Sequence, residues 1–187
     1  MHTPTISTGA LAAHPGYRLA GSDFSFELLD ADARAEVLAH LHRLSADDRA
    51  LRFSSVTSDA ALDAYAARID FARDLVVAAR DAAGAIIGLA QVMPLASDRG
   101  SPAEVALSVN PAARGRGLGR RLMAAAIERA GARGISRLVA QVCPQNAPML
   151  ASFRAAGMAL AREDGEMVGT LAITATTSSR DRIRPAG

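Results

Sequence analysis

The chain has no tryptophan, two tyrosines and five phenylalanines among its 187 residues. So few rings leave no platform on which successive unpaired bases could stack, which argues against a single-stranded nucleic-acid binder. An excess of one charge is missing too. The basic and acidic residues number 21 and 19, for a formal net charge of +2, and the arginines are scattered, so the electrostatic footprint of a nucleic-acid partner is absent. A single cysteine, Cys143, excludes an internal disulfide and any cysteine-rich metal site. The four histidines (His2, His14, His40 and His42) form no H-E-x-x-H pattern. His40 and His42 are two apart and face different ways on a helix, so no metal site is expected. No apolar run approaches the ~20 residues needed to span a bilayer. The first residues also lack the basic start and apolar core of a secretory signal. The expectation is a soluble, cytoplasmic protein with no membrane and no nucleic-acid partner.

What is present is apolar and alanine-rich: half the residues are hydrophobic, enough at this length for one domain with a substantial core. The informative stretch is Ala103 to Met123, AEVALSVNPAARGRGLGRRLM. Val105, Leu107 and Val109 mark a strand. Asn110-Pro111 opens a turn, and Arg114-Gly115-Arg116-Gly117-Leu118-Gly119 runs straight into an apolar-periodic helix. A helix start leaves its first N–H groups without intrahelical partners and carries the positive end of the helix dipole. A glycine-rich bend at that point lets a bulky anion approach the amides, so a phosphorylated ligand is expected here. Arg114, Arg116, Arg120 and Arg121 cluster around it and suit a polyphosphate better than a duplex. A dinucleotide fingerprint would need a third glycine where Arg120 stands, and a nucleotide-triphosphate loop would need Lys-Ser or Lys-Thr. The pattern that fits is R-x-x-G-x-G, on Arg114, Gly117 and Gly119.

Residues 1–21 show no period and read as a flexible arm, and the polar tail 174–187 reads likewise. Between them Phe24, Phe26 and Leu28 alternate as a first strand. Asp30 or Asp32 can cap a helix with Val37, Leu38, Leu41 and Leu44 on its apolar stripe. Ser45, with Asp48 three residues on, starts a short helix anchored by Leu51 and Phe53; Ser58 opens a third helix. Strands follow at 74–80 and 85–92 across a Gly84 hairpin, then the strand and helix above, a strand at 135–142, a helix from Asn146 and a closing hairpin around Gly165. The order predicts an α/β domain with a mixed sheet of about seven strands.

R-x-x-G-x-G resembles the acyl-CoA pyrophosphate loop of the GNAT acyltransferases, and the element order resembles their fold over 22–173. Leu44 to Phe53 (LSADDRALRF) resembles a segment of the GNAT domains of bacterial protein lysine acetyltransferases, as does the strand Ala103-Glu104-Val105-Ala106. Asn146, Met149 and Gly157 match a further helix of that branch, with Met158 where phenylalanine is usual. The resemblance implies a mostly antiparallel sheet with a splayed centre and flanking helices. It also implies acetyl-CoA as cosubstrate, an amine acceptor (a protein lysine or a small molecule), no metal, and a monomer or homodimer. Its reaction is N-acetyl transfer by direct attack; the alternative is a GNAT-shaped module that senses acyl-CoA without turnover.

A lysine-like amine has a pKa of about 10.4, so attack on a thioester at neutral pH needs a base. The resemblance puts a catalytic glutamate at Glu104; alone, the residue also reads as a strand-edge glutamate in water or paired with an arginine. The resemblance gives cofactor contacts to Leu107, Ser108 and Val109 along the strand, and to Arg114, Gly115, Arg116, Gly117, Leu118, Gly119 and Arg120 in the loop. Backbone amides around Leu107 to Val109 would pair with the pantetheine arm and receive the oxyanion. Asn146 reads as a helix N-cap and, by resemblance, as a cofactor contact. Many relatives supply a proton to the thiolate from a tyrosine where Phe153 stands, which leaves that role empty. Cys143 is expected to be a small buried side chain.

Overall fold

Short polar residues start the early helices and glycines end the later ones. Ser45 Oγ accepts from the Asp48 amide and Ser58 Oγ from the Ala61 amide. Gly134 and Gly157 take left-handed φ of +80° and +86° where two helices stop. A computed structural model of the chain describes residues 16–18, 24–98 and 100–173. In it β1 is Gly16–Arg18 and β2 Ser25–Leu29, followed by α1 (Arg34–His42), α2 (Ala46–Phe53) and α3 (Asp59–Arg68). Then come β3 (Leu75–Arg80), β4 (Ile86–Pro94), β5 (Pro102–Val109), α4 (Leu118–Ala132), β6 (Arg137–Val142), α5 (Ala147–Ala155), β7 (Ala159–Glu163) and β8 (Glu166–Ala172).

The strands form one sheet in the order β1-β2-β3-β4-β5-β6-β8-β7. All the pairings are antiparallel except β5 with β6. The seven expected strands are present. The eighth, β1, lies in the stretch read as an arm and pairs with β2; the rest of that arm and the tail from Thr174 lie outside the described residues.

One face of the sheet is covered by α4 and α5. There Leu118, Leu122, Met123 and Phe153 meet Val77, Val92, Val105 and Leu107 in the larger core. On the other face Val37, Leu41 and Leu62 of α1 and α3 meet Val76, Ala78, Ile86 and Leu89. β3 is therefore buried on both sides, and Leu75 to Ala79 are all inaccessible, which is why that segment reads as a continuous apolar run. β6 buries Leu138, Ala140 and Val142 and exposes Arg137 and Gln141, the alternation of a strand covered on one face.

Two expectations need correction. α2 is seated less deeply than expected: none of its residues is fully buried, Leu51 lines a cavity, and Phe53 packs half-buried against the smaller core beside Tyr65. Cys143 is half-buried, and its thiol donates to Gln145 Oε1 at 2.6 Å.

His40 and His42 do face different ways. His42 turns outward to Asp59 and Asp63. His40 is fully buried, with Nδ1 3.2 Å from the Ile86 carbonyl and Nε2 2.8 Å from Ser108 Oγ. A carbonyl only accepts, so the ring proton sits on Nδ1; Nε2 then accepts the Ser108 hydroxyl proton. Burial, with the Arg43 and Arg52 charges adding to it, pushes the His40 pKa down to about 4. The unfolded chain takes this proton near pH 6.5, the folded chain only near 4, so the unfolded state binds more protons between those values. The contribution of His40 to stability is whole above pH 6.5 and falls through the window down to pH 4. Its size is on the order of 3 kcal/mol. Denaturant titrations across that window should show the wild type losing stability relative to His40→Gln by this order as pH falls.

Candidate functional site

β5 and β6 part company. They pair only at Pro102↔Arg137, Ala103↔Leu138 and Glu104↔Val139, whereas β6 stays paired with β8 through Val142. Beyond Glu104, β5 remains in register with β4 as far as Val109 and has no strand on its other side. The Asn110 amide donates to the Ile87 carbonyl, and antiparallel alternation then turns the amides of Val105, Leu107 and Val109 away from β4, into the gap. By the same alternation the Ser108 amide faces β4. Of the three consecutive residues nominated on this strand, Leu107 and Val109 turn their amides to the gap, and the Val109 carbonyl is taken by Arg114. Ser108 contributes its side chain, which is tied to His40.

The gap opens into a cavity of about 590 Å³. Leu107, Ser108 and Val109 form its floor. Arg114, Gly115, Gly117, Leu118, Gly119 and Arg120 line the end where α4 begins, and Asn146 closes the side at the start of α5. Arg116 is exposed beside this loop but does not line the cavity. Glu104 lies at the fork where the strands separate, half-buried, with no hydrogen bond or ion pair of its side chain among the described residues. It stands outside the lining, on the sheet face that also carries Ser108 and His40.

The two glycines of the loop have different reasons to be there. Gly117 is the N-cap of α4 with φ +72° and open space around it, so it is required by backbone conformation. Gly119 is helical, and a Cβ there would come within 3.1 Å of Ser152 Oγ, so it is favoured by the close approach of α4 to α5. The first intrahelical bond of α4 runs from the Arg121 amide to the Gly117 carbonyl, leaving the preceding amides aimed at the cavity mouth. Asn146 caps α5 through Oδ1, which accepts from the Met149 amide at 3.2 Å. Phe153 is buried in the core and does not line the cavity; Ser152 does, and its hydroxyl donates to the Pro148 carbonyl.

Arg114 is less free than its motif implies. Nε and Nη2 donate to the Val109 carbonyl at 3.1 and 3.0 Å, and Nη2 meets Asp48 Oδ1 at 2.7 Å. The residue therefore straps the end of β5 to α2. Asp48, Arg52, Leu44 and Leu51 line the cavity, although the sequence reading assigned Asp48, Leu44 and Leu51 only structural roles and Arg52 none. The only signal for them was the LSADDRALRF segment, whose resemblance named no contacts. Every one of the chain's 21 Lys+Arg positions is arginine, so all the loop's cations are guanidiniums that stay charged at any working pH. Gly117→Ala should lower stability by about 1–2 kcal/mol through left-handed strain alone. Gly117→Asn, whose side chain tolerates that region, should lose less; denaturation midpoints of the two variants read the difference.

With this geometry in hand, comparison with known proteins is informative. The sequence model described as Acetyltransferase (GNAT) family matches residues 38–158. No curated protein matches the chain by sequence. Among solved structures, the GNAT domain of S. lividans PAT superimposes with a TM-score of 0.69 at 24% identity, over 80% of this chain and 90% of that one. A putative acetyltransferase of Salmonella typhimurium, yncA, solved with acetyl-CoA, gives 0.61 at 19% identity, over 84% and 98%. Spermidine N-acetyltransferase from Vibrio cholerae, in complex with CoA and spermine, gives 0.63 at 14%, over 82% and 97%. The structural likenesses carry the fold, and the family match, which takes in both the loop at the start of α4 and the fork at Glu104, shows that the chain belongs to the GNAT acetyltransferase family.

Proposed function

We infer that the protein transfers an acetyl group from acetyl-CoA to a primary amine by direct attack of the amine on the thioester. The observation that carries this is the separation of β5 from β6 after Glu104, with free strand amides on its floor and an open helix start at its mouth. The diphosphate lies against the amides of Gly117 to Arg120, with Arg116 and Arg120 beside it. The pantetheine arm, which carries amide groups of its own, pairs with Leu107 and Val109 as an added strand. That path aims the thioester at the fork. The solved relatives that hold acetyl-CoA or CoA support the choice of cosubstrate. Residues 22–173 act as one catalytic domain in the cytoplasm.

Glu104 is the base. It takes the proton of the attacking amine, directly or through a water, as the N–C bond forms. The tetrahedral oxygen receives a backbone N–H from the Leu107 end of the strand. The C–S bond then breaks and CoA departs as thiolate. A thiol with a pKa of about 8.5 leaves tolerably without an acid, and the buried Phe153 supplies none.

Thermal-shift titration should show stabilisation by acetyl-CoA and none by nucleotides. Thiol release with a panel of amines should show turnover that Glu104→Gln lowers by roughly 10²–10⁴-fold while CoA binding persists. CoA binding with no turnover for any amine would instead identify a non-catalytic sensor. Arg114 and Asp48 give a second check. Asp48→Asn removes an anion facing the diphosphate and should tighten acetyl-CoA about threefold to tenfold at low salt, less as salt rises. Arg114→Ala should weaken binding under the same conditions, and calorimetry reads both.

A further inference from the structure

Two half-buried arginines of the domain, Arg49 and Arg80, have an anion, and so does the exposed Arg114 at the cavity. Arg49 pairs with Asp59, Arg80 with Glu27 and Glu36, and Arg114 with Asp48. Arg52 has none among the described residues, although it is half-buried and lines the cavity. Its guanidinium carbon sits 4.8 Å from the Phe53 ring centre and 5.7 Å from that of Tyr65. The two rings are themselves edge to face at 5.0 Å. Arg52 Nη2 donates to the Tyr65 hydroxyl at 3.0 Å, that hydroxyl donates to Gln91 Oε1, and Gln91 Nε2 donates to Asp74 Oδ2 at 2.7 Å. Only one of five N–H donors is used, so the fork is held rigid and left with open valences. A half-buried guanidinium keeps part of its hydration, and its open donors face the cavity, where a carboxylate can replace that water with a charge-assisted pair.

The position along the slot says which part of a ligand. Asp48, one turn earlier on α2, is tied to Arg114 at the phosphate end, so Arg52 lies roughly 6 Å further along the helix. Its Tyr65 anchor is fixed to Gln91, whose β5 partner is Ala106, midway between Glu104 and Ser108. The charge of Arg52 is also felt at His40, the partner of Ser108. The guanidinium therefore overlies the reacting stretch of β5 and not the loop.

We propose that Arg52 binds a carboxylate on the acceptor, and that the acceptor is a small amine bearing a carboxylate, an amino acid or a close analogue. This rests on reading the slot as the acetyl-CoA site. Glu104 and Arg52 then divide the acceptor between them: the carboxylate draws to the guanidinium and the amine to the base. A polyamine brings only cations to this end of the cavity and is disfavoured by Arg52, and an internal protein lysine brings no carboxylate of its own.

The test compares amino acids with their carboxamides, corrected for the fraction of free amine, in wild type, Arg52→Met and Arg52→Lys. The wild-type ratio of kcat/KM should favour the carboxylates by roughly 10- to 100-fold, the range a charge-assisted pair supplies. Arg52→Met should bring the ratio close to one, mainly through the acceptor KM, with the acetyl-CoA Kd held within about twofold. Arg52→Lys should keep part of the preference. Equal use of both members by wild type overturns the proposal. So does a loss of kcat in Arg52→Met that is the same for both members, which would mark charge stabilisation of the transition state, or a weakened acetyl-CoA Kd, which would place Arg52 with the cofactor. Calorimetry of the same pairs on CoA-loaded wild type needs no turnover: a carboxylate preference there supports the acceptor site even if catalysis itself is disproved, and its absence overturns the site.

Discussion

The parting of two strands governs this molecule. Backbone amides inside a protein must find partners, and the sheet meets that demand everywhere along β5 except on one edge past Glu104. There the ladder is left incomplete while β6 turns its own bonds to β8. A strand edge held open by its neighbours is a template for something extended and rich in amide groups. The loop, the helix start and the glutamate at the fork acquire their meaning from where they stand along that edge.

Several second-tier features keep the edge open. His40 reaches from α1 to bind both Ile86 on β4 and Ser108 on β5, so the side of β5 away from the gap is pinned by a buried, uncharged ring. On the far side α5 comes close enough to α4 that a Cβ at Gly119 would press on the Ser152 hydroxyl. Arg114 ties the end of β5 to α2. α2 itself has no fully buried residue, so its position depends on polar contacts together with the packing of Phe53 on Tyr65. Among these polar contacts are those of the Arg49 guanidinium, which donates to the Leu44 and His42 carbonyls and to Asp59.

Much of this was legible in the chain. The glycine-rich bend, the caps at Ser45, Ser58 and Asn146, and the turns at Gly84 and Gly165 are local, and local chemistry writes itself into neighbouring residues. The location of the slot on Leu107 to Gly119 followed from the same stretch. What was hidden is what depends on pairing at a distance. No spacing announces that a strand at 102–109 meets one at 137–142 for only three residues. Nor does a lone histidine in an apolar helix declare a serine 68 positions away as its partner. Leu51 and Phe53 read as anchors because apolar residues on a short helix commonly are; that the surface beneath Leu51 is a cavity is a property of the assembled sheet. Arg114 read as a free cation because Asp48 lies on a separate helix.

The use of arginine at every basic position has a consequence for a member of this family. A guanidinium is too weak a nucleophile, and too firmly protonated, to capture an acyl group from a thioester. The sequence contains no ε-amine, so on the proposed reading no lysine of the host competes with the acceptor for the acetyl group. On that reading the cations of the loop are guanidiniums that a thioester does not acylate, so the charge of the lining is kept.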